Sequence, residues 1–388
     1  MREQDAILDR WRAGTDLQEA VLATVVHVTG SAYRQPGARM LIDARGERVG
    51  AISGGGLEGE LVRKARWWTA GGAAVRAFDT TSDEDGQWEF GLGCNGVVHI
   101  LLERVGSAGA SALLRALDAQ RVSGAPLATA TVIRAVDNGI AVGARLFMPA
   151  AGAVTGDLLG SAIERDLRSH LADVLASGTS RLVRLERADV FVEYVGPPLS
   201  LVVFGAGDDA IPVVRFAAEM GWRVTVVDGR PSYARADRFP GADRVVVLSG
   251  RDLLGDVAVT DRTAVVVMTH NYPLDERLIP LLVARRPRYL GLLGPRARAE
   301  RVFDAVGLSM PAWVHAPVGL DIGGDSPVMA ALSIVAEIQA AAHGRAGGML
   351  RLRQRSIHEP VVELGKAVGT PVPRSRPGVC DTLVGSHA

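Results

Sequence analysis

The segment "LSLVVFGAGDDA", residues 199–210, decides the fold of the second half of the chain. It joins an apolar run, typical of a buried β-strand, to a glycine-rich turn that opens a predicted helix. Gly205, Gly207 and Ala210 form the pattern G-x-G-x-x-A between this strand and this helix, which is the context that a dinucleotide-binding fingerprint requires. Asp228 ends the next predicted strand, 21 residues after Gly207. The segment therefore predicts the first crossover of a Rossmann-type sheet.

The chemistry of this crossover suits a nucleotide. Bare glycines let a pyrophosphate approach the N–H groups of the helix, and an acid at the position of Asp228 can bind a ribose diol. A carboxylate there also favours NAD over NADP, because it repels a 2′-phosphate. The alternative is a tight turn that binds nothing or only a smaller ligand. Asp208 and Asp209 favour this alternative, since two acids at a helix N-terminus repel a pyrophosphate.

Outward from this segment, predicted strands alternate with predicted helices. The strands cover residues 244–248, 264–268 and 288–292, and the helices cover 209–220, 273–285, 295–306 and 327–342. Strand–helix alternation is typical of parallel sheets with right-handed crossovers. The second half is therefore predicted to be a doubly wound α/β domain.

Polar residues follow two of these predicted elements. Thr269, His270 and Asn271 lie at the carboxyl end of a predicted strand, where open α/β sheets bind ligands. His270 is the candidate acid/base residue, although a polar strand end that caps the next helix explains it almost as well. Asp321 is a candidate ligand-binding residue in the loop before the last helix, with a structural turn as the alternative. Ser326 is the predicted N-cap of that helix.

The first half has a different pattern. Between residues 20 and 196, short β-branched runs and glycine turns alternate with three predicted helices, which indicates a mixed α+β domain. We find no internal repeat in it. Pro197-Pro198 marks the predicted boundary, so the domains are expected at 1–196 and 197–343. Residues 344–388 are rich in Arg, Gly, Pro and Ser and are predicted to form a mobile tail.

A glycine-rich loop in this first domain connects a predicted strand to a predicted helix. Its three glycines expose N–H groups at a helix N-terminus, which suits an anion; they are Gly54, Gly55 and Gly56. Glu58 can accept hydrogen bonds from ring N–H groups of a ligand, or can simply cap the helix. The preceding loop, "GSAYRQPGARM", adds Ser31, Arg34 and Arg39, which favour a phosphate or an electron-rich ring. We expect this site and the Rossmann-type crossover to face a common cleft.

Composition excludes several classes of partner. Lys+Arg and Asp+Glu both number 43, so no net field attracts nucleic acid or an anionic membrane. The N-terminal residues are too charged for a signal peptide, and no run reaches the ~18 apolar residues of a membrane span. We expect a cytoplasmic protein without nucleic-acid or membrane partners.

The two cysteines, Cys94 and Cys380, exclude a disulfide framework and a cysteine-based zinc site. Cys94 lies in a glycine-flanked turn that can activate a thiolate, although a lone cysteine is more often a small buried hydrophobe.

Seven ordered motifs resemble the XdhC/CoxI family, the accessory factors of xanthine dehydrogenase and related molybdenum hydroxylases. In chain order they are "GSAYRQPGARMLI", "ISGGGLEGELV", "TSDEDGQWEFGLGCNGVVHILLE", "VVFGAGDDA", "MTHNYPLDERLI", "YLGLLGPRARAERV" and "VGLDIGGDSPVMAALSIVAEI". The resemblance implies an N-terminal XdhC/CoxI domain and a C-terminal Rossmann-like domain. It also implies a homodimer that binds molybdenum cofactor (molybdopterin) while a cysteine desulfurase sulfurates it. The loaded protein then delivers the cofactor to an apo molybdenum hydroxylase.

The sequence departs from the family pattern at two cysteine positions. Where the family usually reads "SGGC", this chain has Gly56, and where the family usually reads "CGG", it has Cys94-Asn95-Gly96. Loss of one cysteine favours a second hypothesis, an NAD(P)-dependent oxidoreductase with NAD(P) on Gly205, Gly207 and Asp228 and His270 as its acid/base residue. A third hypothesis is a scaffold that docks a hydroxylase and binds no small ligand.

Overall fold

The computed structural model describes residues 3–14, 17–79, 96–136, 139–248 and 252–353. Within the first half of the chain, strands and helices follow one another in an order that occurs twice. The first series is α1 (Glu3–Ala13), β1 (Val21–Gly30), β2 (Arg39–Ile42), β3 (Arg48–Gly50), α2 (Glu58–Trp68), β4 (Ala74–Asp79) and β5 (Gly96–Arg104). The second is α3 (Ala108–Ser123), β6 (Leu127–Ala135), β7 (Arg145–Pro149), β8 (Thr155–Gly156), α4 (Glu164–Ser177), β9 (Arg181–Arg184) and β10 (Ala188–Val195).

Each series forms a five-stranded antiparallel sheet, and the two sheets have the same topology. Their strand orders are β3-β2-β1-β5-β4 and β8-β7-β6-β10-β9. Both also carry an irregularity at the same place, between β1 and β5 in one sheet and between β6 and β10 in the other. The first half is therefore a tandem duplication, and the prediction of no internal repeat is wrong.

Short sequence matches support the duplication once the elements are aligned. The β1 segment "ATVVHV" (23–28) corresponds to the β6 segment "ATVIRA" (130–135). The tripeptide Gly-Ala-Arg ends at Arg39 in the first repeat and at Arg145 in the second, 106 residues later. Glu103 and Glu193 both open the pattern E-x-V-G at the end of the last strand of their repeat. The rest of the two sequences has diverged, which hid the repeat from a reading of the sequence alone.

The two sheets pack face to face, and each outer face is covered by a helix. On the inner faces, Leu101 of β5 packs with Phe191 of β10, while α1 and α3 close one end of the interface. On the outer faces, α2 covers the first sheet and α4 covers the second. Side chains alternate between the two faces along each strand, and both faces of each sheet carry apolar residues. Each sheet is therefore covered on one face by the other sheet and on the other face by a helix.

Two buried ion pairs cross this interface, and each joins one repeat to the other. Arg39 on β2 donates to Glu193 on β10 over 2.5 Å. In the reciprocal pair, Arg145 on β7 donates to both carboxylate oxygens of Glu103 on β5, with 2.7 Å between Nη1 and Oε1. All four residues are at most 6% exposed. Each pair is thus related to the other by the pseudo-twofold symmetry of the duplication.

A glycine two residues before each arginine makes room for the glutamate of the opposite repeat. Gly37 and Gly143 have φ values of 98° and 87°, which favour glycine. A Cβ at these positions would lie 2.9 Å and 3.0 Å from the Oε1 atoms of Glu193 and Glu103, respectively. Each glycine carbonyl also accepts a hydrogen bond from its own arginine. The Gly-Ala-Arg motif therefore serves the inter-repeat pairs in both halves.

The second half is a six-stranded parallel sheet with the strand order β13-β12-β11-β14-β15-β16. This order is that of a dinucleotide-binding Rossmann sheet. Its elements are β11 (Ser200–Phe204), α5 (Ala210–Glu219), β12 (Arg223–Asp228), β13 (Arg244–Val247), β14 (Thr263–Val267), α6 (Tyr272–Arg285), β15 (Tyr289–Leu292), α7 (Arg296–Ala305), β16 (Val314–His315) and α8 (Pro327–Ala342). The predicted fold class, a mixed α+β domain followed by a Rossmann-like domain, is confirmed.

Helices cover both faces of the parallel sheet. Helices α5 and α8 pack on one face and α6 and α7 on the other, so the strands are buried on both sides. Ser326 is the N-cap of α8, as predicted, and Asn271 is the N-cap of α6. None of the helices in the described parts of the chain is long and apolar enough to cross a bilayer. Most of the predicted tail, from residue 354 onward, lies outside the described residues.

The inter-repeat ion pairs generate a stability prediction. Arg145→Met leaves the carboxylate of Glu103 buried without its partner, so we expect the free energy of unfolding to fall by about 3–5 kcal/mol. Urea unfolding followed by tryptophan fluorescence measures the change. Arg134→Met is the matched control, because Arg134 also pairs with an acid, Asp189, but is largely exposed and should contribute little. Adding Glu103→Leu to Arg145→Met should recover most of the loss; a double variant no more stable than the single one would contradict this account.

Candidate functional site

Two loops of the first repeat meet at one end of its sheet. The loop between β1 and β2 carries Tyr33, and the loop between β3 and α2, the glycine loop, comprises residues 53–57. The Tyr33 ring lies against Gly54, where a Cβ would be 3.7 Å from the ring. The Tyr33 side chain is nevertheless 68% exposed. An exposed aromatic ring beside bare backbone is a surface on which a planar ligand can stack.

The glycine loop is ordered by Ser53 and offers free amide groups. Ser53 Oγ accepts hydrogen bonds from the N–H groups of Gly55 (3.1 Å) and Leu57 (3.2 Å). Among the described residues, the N–H groups of Gly54 and Gly56 have no hydrogen-bond partner. Gly55 has a φ of 119°, and a Cβ there would meet no atom within 4 Å. The loop therefore presents unpaired donors next to open space, which suits an anionic or carbonyl oxygen.

Glu58, the first residue of α2, is turned inward toward the loop. Its carboxylate accepts bonds from the N–H groups of Ile52 and Ser53 and from the Ser53 hydroxyl. Burial of Glu58 by itself raises its pKa, but these hydrogen bonds outweigh burial and hold the pKa below its ordinary value. The predicted contact of Glu58 with a ligand stays a prediction, and the bonds that the structure shows stabilise the loop itself.

The predicted basic residues have separate environments. Arg34 forms an ion pair with Glu3 of α1 near the surface, and its side chain is 28% exposed. A surface pair of this kind is weak, so Arg34 can exchange Glu3 for another anion. Arg39 instead belongs to the buried inter-repeat pair with Glu193. Its equivalent in the second repeat makes the same kind of pair, which points to a structural role for Arg39 rather than to the predicted ligand contact.

Ser31 lies beside Gly96, the first residue of β5. Cys94 itself lies outside the described residues, which resume at Gly96. Gly96 packs against the backbone of Ser31, whose carbonyl oxygen would be 2.4 Å from a Cβ at position 96. The chain therefore enters β5 next to the loop that carries Ser31 and Tyr33. The predicted role of Cys94 stays a prediction.

The second repeat builds an equivalent turn with one glycine in place of three. Between β8 and α4 it has Gly160, Ser161 and Ala162 where the first repeat has Gly54, Gly55 and Gly56. Glu164 begins α4 and accepts a hydrogen bond from the N–H of Gly160, as Glu58 does from its own loop. The turn and its glutamate are thus common to both repeats, whereas Gly55 and Gly56 occur in the first repeat only.

A second candidate site lies at the carboxyl edge of the parallel sheet. A cavity of about 540 Å³ opens there, of a size that small ligands occupy. Its lining residues come from the ends of β11, β12, β13 and β14 and from the start of α6; they include Phe204, Gly205, Asp228, Arg230, Leu248, Thr269 and His270. No residue of the glycine loop lines this cavity, and the expected common cleft stays a prediction.

Asp228 lies in this cavity at the end of β12, as predicted, but its carboxylate is already bonded. It accepts hydrogen bonds from the backbone N–H groups of Ala206 (2.7 Å) and Arg230 (2.8 Å). It also accepts hydrogen bonds from Nε (2.9 Å) and Nη2 (2.8 Å) of the Arg230 guanidinium. Burial by itself raises the pKa of Asp228, yet these bonds lower it below its ordinary value. The carboxylate is therefore ionised and held by one half-exposed arginine.

The glycine-rich turn after β11 shows one structural constraint. Gly205 has a φ of 118°, and a Cβ there would lie 2.2 Å from the carbonyl oxygen of Met268. Close packing of the turn on the end of β14 thus requires glycine whether or not a ligand binds. At Gly207 a Cβ would meet only the carboxylate of Asp209, a side chain that can move. The fingerprint alone is therefore weak evidence for a dinucleotide.

His270 and Asp209 form a pair at the rim of the cavity. His270 Nε2 and Asp209 Oδ2 are 2.7 Å apart. His270 has a φ of 53°, an unfavourable conformation for a residue with a Cβ, which is often found at functional sites. Asp209 precedes the first residue of α5, where a dinucleotide would place its pyrophosphate. The structure thus puts a carboxylate and a histidine where the fingerprint predicts an anion.

Other predicted residues lie apart from this cavity or serve the fold. Asp321 is exposed in the loop before α8 and does not line the cavity. Thr269 donates to Asp275 of α6, which also accepts a bond from Arg298 of α7, so this network joins the strand end to two helices. Within the described residues, no cluster of three or more His, Cys, Asp or Glu side chains could hold a metal ion.

Sequence reasoning missed two residues and one side-chain pair that matter to these two places. Tyr33 was part of a recognised motif, but only the fold shows that its ring covers Gly54. Arg230, two residues after Asp228, gave a signal in the sequence "VDGR" that was not used. The partnership of Asp209 with His270 spans 61 residues and has no local signal.

Known proteins match nearly the whole chain. The sequence model of the XdhC and CoxI family matches residues 15–79 and 121–186, and that of the XdhC Rossmann domain matches residues 201–338. The first two segments begin 106 residues apart, the same spacing as that between Arg39 and Arg145. The family match therefore falls on both repeats.

Relatives and a solved structure agree with these matches. A Bacillus subtilis protein described as a probable xanthine dehydrogenase subunit is 33% identical over 86% of this chain and 94% of its own. The uncharacterised protein YqeB of Escherichia coli is 27% identical over 57% of this chain and 45% of its own. A crystal structure of a xanthine dehydrogenase from Bacillus halodurans superposes with a TM-score of 0.75 at 30% identity, covering 89% of this chain and 97% of that one.

The inward-turned Glu58 generates a pH-dependent prediction. Glu58→Gln should lower the free energy of unfolding at pH 7 by about 1.5–3 kcal/mol, because it removes hydrogen bonds to a charged acceptor. The folded pKa is depressed, so this stability is present above the unfolded pKa and is lost as the pH falls through the folded pKa. The difference between wild type and variant should therefore shrink below about pH 4. Urea unfolding at several values between about pH 3 and pH 7 measures it. Glu164→Gln is the control and should cost less, since Glu164 is only partly buried; a difference that stays constant with pH would contradict the assignment.

Proposed function

This chain belongs to the XdhC and CoxI family, and from that membership we propose that it binds molybdenum cofactor and delivers it to a xanthine dehydrogenase-type hydroxylase. The B. subtilis relative and the B. halodurans structure both carry xanthine dehydrogenase in their descriptions, which supports a hydroxylase as the partner. The proposed binding site comprises the glycine loop and the β1–β2 loop of the first repeat. The remaining partner, a cysteine desulfurase, is a proposal that rests on the family resemblance.

One observation carries the choice of site: ligand-type residues occur in only one of two equivalent repeats. Both repeats keep the residues that build the fold, such as the arginines of the inter-repeat pairs and the glutamates that begin α2 and α4. Tyr33, Arg34 and Gly55 have no chemical equivalent in the second repeat, where residues 139–143 read "GIAVG" and the turn contains Ser161. The second repeat has the same topology without them, which supports the proposal that they serve a ligand.

The residues of this site suit the chemical parts of a molybdopterin. The unpaired amides of Gly54 and Gly56 fit an anionic or carbonyl oxygen, and the exposed ring of Tyr33 fits a planar pterin. Arg34 fits the phosphate once it releases Glu3. The cofactor would supply the redox chemistry of the client hydroxylase after delivery. The residues of this chain bind it and orient it.

The oxidoreductase hypothesis has less support from the geometry. NAD(P) would need the N-terminus of α5 free for its pyrophosphate. Asp209 lies at that N-terminus, and its carboxylate opposes a second anion there. We therefore prefer the accessory function.

The homodimer and the cytoplasmic location also stay predictions, which light scattering and cell fractionation test directly.

The proposed site is tested by comparing two glycines with the same geometry. Gly55 and Gly72 have φ values of 119° and 122°, and a Cβ at either position would meet nothing within 4 Å. Gly55→Ala and Gly72→Ala should therefore destabilise the protein similarly, by about 1–2 kcal/mol. Only Gly55→Ala should lower cofactor retention, by about tenfold, since only Gly55 belongs to the proposed site. Retention is measured from the fluorescence of the oxidised pterin released from purified protein after loading.

Two further variants separate the ring contact from the phosphate contact. Tyr33→Ala and Arg34→Ala should each weaken cofactor binding by about tenfold, because they remove a stacking surface and a charge-assisted bond, respectively. Val136→Ala, an exposed change in the second repeat, is the control and should leave retention unchanged. Equal cofactor retention by wild type, Gly55→Ala, Tyr33→Ala and Arg34→Ala would show that the cofactor does not bind at this site.

A further inference from the structure

The cavity at the carboxyl edge of the parallel sheet has a polar floor and apolar walls. Asp228 supplies the buried carboxylate at the end of β12. Phe204, Val227 and Leu248 supply apolar surface from the ends of neighbouring strands. With about 540 Å³, the cavity has room for a base and a ribose together. The glycine loop and the β1–β2 loop do not line this cavity, so it is separate from the proposed cofactor site.

The bonds of Asp228 show which part of its environment a ligand can replace. Two of its donors are backbone N–H groups, of Ala206 and Arg230, and these are fixed by the fold. The other two belong to the guanidinium of Arg230, which is half-exposed and also lies 3.9 Å from the centre of the Tyr233 ring. A diol can take over these two positions while Arg230 moves onto Tyr233 alone, so the carboxylate remains fully bonded.

The turn beside this cavity is unsuited to a pyrophosphate. Asp208 and Asp209 lie at the start of α5, and their carboxylates are paired with Arg238 and His270. Arg238 balances the charge of Asp208, and Asp209 adds a further carboxylate, so the side chains at the N-terminus of α5 offer no net positive charge to a ligand phosphate. A phosphate placed there would also have to approach two carboxylates, which opposes the favourable helix dipole.

We propose that this cavity binds a ribonucleoside that carries no phosphate, with its 2′,3′-diol on Asp228 in place of the Arg230 guanidinium. The base lies against the apolar walls at Phe204 and Leu248, and the 5′ end faces Asp209 and His270. A ligand of this class satisfies the ribose-binding acid of a Rossmann sheet without the pyrophosphate that the adjacent turn repels. The proposal is independent of the cofactor site, since it uses residues of the parallel sheet only.

Direct binding to the full-length protein tests the ligand class. Isothermal titration with adenosine, guanosine, cytidine and uridine should show at least one ligand with a Kd below about 1 mM. The 2′-deoxy form of that ligand should bind about tenfold more weakly, because it lacks one hydroxyl of the diol. NAD⁺ should bind more weakly than adenosine. The proposal is overturned if none of the four ribonucleosides binds or if NAD⁺ binds more tightly than adenosine.

Two variants with opposite expected effects test the role of Asp228. Asp228→Asn should weaken binding of the best ribonucleoside by about tenfold, because the amide is a poorer acceptor for the diol. Arg230→Ala should strengthen it by several-fold, because the competing guanidinium is gone; misfolding would not produce such a gain. Arg235→Ala is the matched control, since Arg235 pairs with Asp237 on the same loop but does not line the cavity. Weaker binding by Arg230→Ala would overturn the displacement of Arg230.

A third variant tests the exclusion of phosphate. Asp209→Asn removes one carboxylate from the N-terminus of α5 and should strengthen NAD⁺ binding by several-fold while leaving nucleoside affinity unchanged. Unchanged NAD⁺ affinity would show that Asp209 does not exclude the pyrophosphate. These readouts contain no molybdenum cofactor, so their failure is distinguishable from failure of the proposed accessory function.

Discussion

Two buried arginine–glutamate pairs constrain the first half of this protein, because neither repeat can satisfy its own charges. A buried ion without its partner costs several kcal/mol, so the two sheets must meet in the one arrangement that pairs Arg39 with Glu193 and Arg145 with Glu103. The same constraint reaches the candidate site. Gly37 and Arg39 end the loop that carries Tyr33, so the inter-repeat contact also fixes the loop that faces the glycine loop.

Local patterns predicted the parallel sheet well, because most of its strands are continuous apolar runs that alternate along the chain with helices. Asp228 could be placed at the sheet edge from topology alone, since parallel strands end together. Its occupation by Arg230 could not, because the direction of a loop side chain depends on tertiary contacts. The buried pair of Arg39 could not be predicted for a similar reason. Its partner is 154 residues away, and nothing near it in the sequence indicates a buried pair.

The duplication was missed in the sequence, yet it separates two kinds of residue that sequence reasoning had grouped together. Residues kept in both repeats, such as Arg39 and Glu58, have structural partners in the fold. Residues found only in the first repeat, such as Tyr33 and Gly55, lie at the surface with unsatisfied donors beside them. Comparing the two repeats thus distinguishes residues that serve the fold from residues proposed to bind the cofactor. The cavity of the parallel sheet lies outside both repeats, so the nucleoside proposed for it has a separate site.

The exchange of partners between repeats has a consequence for the ancestry of the fold. A polypeptide with one repeat would expose an arginine and a glutamate that only a second copy could neutralise, each copy contributing both halves of the contact. That is the self-complementary surface of a twofold dimer. The present chain holds the same interface inside one polypeptide, so gene fusion of a former dimer accounts for it. Once fused, one copy could keep the ligand loops while the other lost them without loss of assembly.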